Sequence, residues 1–116
     1  MAVSTSNYNS LTNDVLKAVP FTQVSIAAGS ITSSYQAIGT ANFNRQMVEV
    51  IIVSTLDAVV QWSWDGVNAA FPIPAGATII INLKSNAIVL SANYGPYVKT
   101  LGSPTTGSLY VGGFSV

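Results

Sequence analysis

The sequence contains no cysteine and no histidine, and only eight of its 116 residues are charged: Asp14, Lys17, Arg45, Glu49, Asp57, Asp65, Lys84 and Lys99. Without thiols or imidazoles, disulfides, the usual zinc and haem sites, iron–sulfur clusters, thiolate nucleophiles and imidazole-based triads are excluded, and no metal or cofactor is expected. Four basic residues balance four acidic ones, giving a net charge of zero. Binding a nucleic-acid backbone usually requires a clustered excess of Lys and Arg, so nucleic acid is not an expected partner. The longest apolar stretch, Val48 to Val60, is interrupted by Glu49, Ser54, Thr55 and Asp57. It falls short of the roughly 18 residues a spanning helix needs, so no membrane segment is expected. Met1-Ala2-Val3-Ser4-Thr5 lacks the basic flank and apolar block of a secretory signal, which predicts a chain made and folded in a cytoplasm.

Valine and isoleucine number 24 against seven leucines, and ten threonines bring the β-branched total to 34. Such side chains are stiff at χ1 and suit pleated strands, so the expected fold is all-β. Serine, threonine, asparagine and glutamine supply 37 residues. The solvated faces are therefore clothed in neutral polar groups that set up no long-range repulsion between copies. A chain that is 49% hydrophobic and 7% charged is poorly protected against association, which points to a homo-oligomer whose apolar surface is covered by other chains. The competing reading is a small sandwich with an uncharged exterior.

Residues 1–19 form a Ser/Thr/Asn-rich arm whose apolar positions are Leu11, Val15, Leu16 and Val19. This spacing suits one or two helical turns, with Ser10 or Thr12 as N-cap and Pro20 as terminator. So short a helix is marginal alone, and the arm is expected either to dock on the sandwich or to order against a neighbour. Residues 20–116 read as the β-sandwich domain. Short apolar runs separated by turn residues recur about every ten positions, the pattern of antiparallel sheets packed face to face. The predicted fold is an antiparallel β-sandwich, jelly-roll-like or immunoglobulin-like, with an extended or short-helical N-terminal arm.

Within Val59 to Trp64, Val60, Trp62 and Trp64 fall on one face and Val59, Gln61 and Ser63 on the other. Met47 to Ser54 is apolar on nearly both faces, with Val48, Val50 and Ile52 opposite Met47, Glu49, Ile51 and Val53. That strand is expected to be central or covered by a second subunit. Ile79, Ile81 and Leu83 alternate with Ile80, Asn82 and Lys84, while Pro72 and Pro74 place the preceding run at a sheet edge or corner. Gly76 is expected at positive φ, and Gly112-Gly113 in a bulge or close backbone approach.

Glu49, Asp57 and Asp65 are the carboxylates from which a glycosidase pair, about 5 to 10 Å apart, would have to be drawn. Their contexts oppose it. Asp57 is expected in a hairpin between two strands, and Asp65 precedes Gly66 in ordinary turn chemistry. Presented outward, Trp62 and Trp64 would make a carbohydrate-binding surface, but alternation with Gln61 and Ser63 favours the core. Tyr94, Tyr97 and Tyr110 are better outward candidates for contact with a sugar or a protein. The residues expected at an interface are Leu11, Val15 and Leu16 of the arm, Met47, Ile51 and Val53 of the two-faced strand, and these three tyrosines.

Several stretches, taken in order, resemble small virion proteins of tailed bacteriophages. They are Tyr35-Gln36-Ala37-Ile38-Gly39-Thr40, Val60-Gln61-Trp62-Ser63-Trp64-Asp65-Gly66-Val67, Phe71-Pro72-Ile73-Pro74-Ala75-Gly76, Tyr97-Val98-Lys99, and Gly102-Ser103-Pro104-Thr105-Thr106-Gly107-Ser108-Leu109-Tyr110-Val111. Together they span about residues 35 to 112, and their specificity lies in the order of otherwise generic turns. The resemblance implies a β-sandwich accessory protein of the particle, a head decoration or cement protein, with a neck, collar or tail component as the alternative. It implies the major capsid protein or other virion proteins as partners, location in the virion after assembly in the host bacterial cytoplasm, and no catalytic residues. A carbohydrate-binding host-recognition module is the remaining alternative.

Overall fold

The computed structural model describes residues 19–39, 43, 47–83 and 94–115. They form eight strands, β1 (Val19–Ala27), β2 (Gln36–Ala37), β3 (Met47–Ser54), β4 (Val60–Ser63), β5 (Phe71–Ile73), β6 (Thr78–Asn82), β7 (Tyr97–Thr100) and β8 (Ser108–Ser115), with one turn of 3₁₀-helix at Ala28–Ser30. The β-branched composition is thus realised as strands. Leu11, Val15 and Leu16, with the rest of residues 1–18, lie outside the described residues. Val19, read from sequence as the end of the arm, opens β1 and pairs with Ser115.

Two antiparallel four-stranded sheets run in the orders β1-β8-β3-β6 and β2-β7-β4-β5. Successive strands mostly switch sheets, and among the described residues β4–β5 is the sole sequential pair within one sheet. This is the order of a jelly roll, and of the two sandwich types the sequence leaves open it excludes the immunoglobulin arrangement. As expected, β3 is interior to its sheet, flanked by β8 and β6, and the proline-bearing β5 is an edge. Pro72, opposite Gln61, has no N–H to donate and is tolerated there for that reason.

The core lies between the sheets. Val50, Ile52, Leu109 and Val111 face Val60, Trp62, Ile73 and Val98, and all eight are fully buried. Ile31, Ile38, Phe43, Leu56 and Leu83 close the ends. Fully burying each aliphatic or aromatic chain contributes about 1.5–3 kcal/mol. Trp62 is the largest buried chain and touches Trp64 edge-on at 5.2 Å and Phe71 in a stack at 6.0 Å between ring centroids. On the other face of β4, Gln61 and Ser63 are buried as well, so this strand is not solvated on either side.

Met47 departs from the sequence expectation. It pairs with Ser115 and Glu49 pairs with Phe114, so Val48 is an extra residue in β3 and the strand bulges. The bulge inverts the alternation before Glu49 and turns Met47 into the core at 1% exposure, removing it from the face it was expected to share with Ile51 and Val53. The partner strand accommodates this at Gly113, whose φ is +138° and whose absent Cβ would collide with the Glu49 carbonyl oxygen. The close approach expected at Gly112-Gly113 is therefore found.

Candidate functional site

The outward side of β1-β8-β3-β6 brings together apolar residues that are scattered in sequence. Register places Ile51 between Gly112 and Ile80, and Val53 between Tyr110 and Thr78. Ile80 is 64% exposed, Phe114 39% and Val53 36%, while Ile51 and Tyr110 are half-buried. A Cβ on Gly112 would meet nothing within 4 Å. The side chain missing at that point leaves a shallow depression of about 280 Å³, walled by Phe21, Ile51, Val53, Tyr110 and Phe114. Among the described residues, the charged group in these cross-strand rows is Glu49, set between Phe114 and Asn82.

Three of the residues expected at an interface, Ile51, Val53 and Tyr110, meet on this face. Tyr94 and Tyr97 do not. Tyr97 lies in the other sheet, paired with Ser63 and Ala37 and packed on Gly66. Ile80 and Phe114 complete the apolar face but were not among the expected residues. The alternation of Ile80 with Ile79 and Ile81 already placed it opposite the core, and its size there was the available signal.

A second concavity, about 240 Å³, lies at the β4–β5 connection, walled by Trp64, Asp65, Asn68, Ala69, Ala70 and Tyr94. It is built by turn chemistry. Asp65 Oδ1 accepts from the Ser63 hydroxyl at 3.0 Å, from Val67 N at 2.9 Å and from Asn68 N at 2.8 Å. Its Oδ2 accepts from Asn68 Nδ2 at 2.7 Å. These donors, the Asn68 N–H foremost, hold the Asp65 carboxyl far below the usual carboxylate range. Across the concavity, Gly95 N donates to Trp64 O at 2.8 Å, and Phe43 N donates to Tyr94 O at 2.9 Å. Trp62 is wholly buried and unable to stack on a ligand, whereas Trp64 is half-buried and Tyr94 37% exposed.

Asp57 has an equally structural task. It accepts from Thr105 N at 2.8 Å, from the Thr105 hydroxyl and from Thr106 N at 3.2 Å, and these bonds lower its pKa from 3.8 to about 2. Both aspartates thus accept from loop N–H and side-chain groups, which is a capping arrangement. Among the described residues no cluster of three or more acidic side chains could hold a metal ion, and no helix is long and apolar enough to cross a membrane. No family model matches the chain, and neither the curated proteins nor the solved structures include a significant match.

Proposed function

We propose that this protein is a non-enzymatic structural component of a bacteriophage virion, a capsid decoration or cement protein that stabilises the head through subunit contacts made by the outer face of β1-β8-β3-β6. The observation that carries this reading is the apolar face of Ile51, Val53, Ile80, Tyr110 and Phe114 on a molecule of zero net charge. Exposed apolar residues gathered on one sheet gain most by being covered, and neutral neighbours approach without electrostatic cost. The ordered turn motifs that resemble small virion proteins support the same reading. The jelly-roll strand order supports it by analogy, since viral capsid domains are among its uses and lectins are another.

The partners in this reading are a second copy of the chain and the major capsid protein, and assembly is stabilised by mass action among many copies. A stable contact of this kind buries about 1,600 Å² in total. Sedimentation of the purified protein over a wide concentration range, followed by co-sedimentation with heads lacking decoration, tests it. Association in both is expected. A strict monomer that also ignores the heads overturns the reading. Quantifying copies per particle separates head from neck, collar or tail, because hundreds of copies fit a head lattice and a single ring of a few subunits does not.

A further inference from the structure

The concavity at the β4–β5 connection has a composition that the lattice role does not use. Its walls combine two aromatic side chains, Trp64 and Tyr94, with the polar side chains of Asp65 and Asn68 and the small residues Ala69 and Ala70. The first four are drawn from a strand end, a turn and a distant loop; the bond from Gly95 N to Trp64 O ties the loop of Tyr94 to the strand end, and the bonds of Asp65 to Asn68 close the turn. We propose that this concavity is a binding site for a neutral pyranose ring of a glycan, with Trp64 and Tyr94 packing on the ring's C–H groups and Asn68 and Asp65 engaging its hydroxyls.

Each part of the site matches a property of such a ring. Aromatic faces are electron-rich and attract the weakly positive C–H edges of a sugar, while the tyrosine hydroxyl and the indole supply polar rims. Asn68 offers both donors and an acceptor, and its Nδ2 spends one hydrogen on Asp65, which leaves the other for a ligand. Asp65 Oδ2 accepts from Asn68 Nδ2 and keeps further acceptor capacity, whereas Oδ1 is committed to the turn. The carboxylate stays ionised at ordinary pH and repels anionic sugars, so neutral rings are selected. The size fits one ring and not a drug-sized ligand, for which pockets start at about 300 Å³. Little reorganisation is required, because the Asp65 bonds already fix residues 63–68.

The test is an NMR titration of the full chain with methyl glycosides of glucose, galactose, mannose and rhamnose, with N-acetylneuraminic acid as the anionic control. The protein has two indoles, Trp62 and Trp64. Trp62 is fully buried and serves as an internal monitor of the fold. At least one neutral glycoside is expected to shift the Trp64 indole saturably with a millimolar Kd, the scale of about −4 kcal/mol, and to move the buried Trp62 less. Tyr94→Ala is expected to weaken binding at least about fivefold, in line with loss of one aromatic contact, and Tyr94→Phe to retain it. Ala70→Gln, at an exposed position, fills the concavity from its rim and abolishes the shift without touching Tyr94. Absence of a saturable Trp64 shift with every neutral glycoside overturns the proposal. So does binding that survives both Tyr94→Ala and Ala70→Gln, or a preference for the anionic sugar.

Discussion

Thr105 is tied to Asp57 across 48 residues of chain, through its backbone N–H at 2.8 Å and through its hydroxyl, both donating to one carboxylate. The loop before β8 is thereby pinned to the turn after β3. Thr55 and Ser108 add a second tie beside it, with Ser108 N donating to Thr55 Oγ1 at 2.9 Å and Thr55 N donating to Ser108 O at 2.9 Å. Together these bonds set where the last strand begins and hence which of its residues face outward.

The first prediction concerns acid. Asp57 titrates near 2 in the folded chain and near 3.8 when free, so the unfolded chain binds the proton first as pH falls. Its contribution to stability is full above about pH 4 and is lost as pH drops toward 2, and the depressed Asp65 adds to the same trend. Melting temperature against pH should decline over this window for the native protein. Asp57→Asn should melt lower at neutral pH and decline less steeply in acid.

Backbone close approach gives the second. Gly107 has φ +86° and a Cβ there would overlap the Thr55 carbonyl oxygen. Gly107→Ala must therefore either strain the left-handed backbone or push β3 and the 101–107 loop apart, and the strain alone costs about 1–3 kcal/mol. Urea unfolding should show a loss of at least that size. Gly112→Ala makes the control, because the added methyl enters open space.

Two buried polar atoms give the third. Tyr35 Oη and Trp62 Nε1 have no hydrogen-bond partner among the described residues, while Lys99 Nζ sits 4.7 Å from the centroid of the Tyr35 ring. Tyr35→Phe keeps the ring under the ammonium and removes an unpaired hydroxyl. Stability should stay level or rise by about 1 kcal/mol in denaturant titration. Trp62→Ala removes the largest core side chain and should cost about 3–5 kcal/mol.

The fourth separates assembly from folding. Ile80 is the most exposed of the apolar residues on its sheet face and lies on an edge strand. Ile80→Asp should change unfolding free energy by no more than about 0.5 kcal/mol, as is usual for surface positions. In sedimentation velocity it should shift the protein toward monomer, and Val53→Asp combined with it should complete the shift.

Strand identity was legible wherever alternation was strong. Val50 and Ile52 inward, Ile51 and Val53 outward, Pro72 at an edge and Gly76 at positive φ, here +68°, all follow from local chemistry. Pairing was less so. Nothing local makes Val19 lie beside Ser115, and the jelly-roll order is a sum of such distant choices. Met47 shows the sharpest limit, because one extra residue in β3 reverses a face and no periodicity announces it. The apolar outer face was half legible for the same reason. Ile51 and Val53 announce themselves by their neighbours, but Phe114 joins them only through register with Glu49. Likewise, Trp64 and Tyr94 are thirty positions apart in the sequence and share a concavity because β4 lies beside β7.

The two sheets end differently. Opposite β2, one sheet has its margin at β5, where Pro72 interrupts the row of main-chain donors; opposite β1, the other has its margin at β6, Thr78–Asn82, which contains no proline and no charge. Among the described residues, Thr78 to Ile81 have their ladder partners in β3. Ribbon growth in overconcentrated preparations should then start at the isoleucine margin in preference to the proline margin, and a single lysine placed at Ile80 should act as a gatekeeper against it.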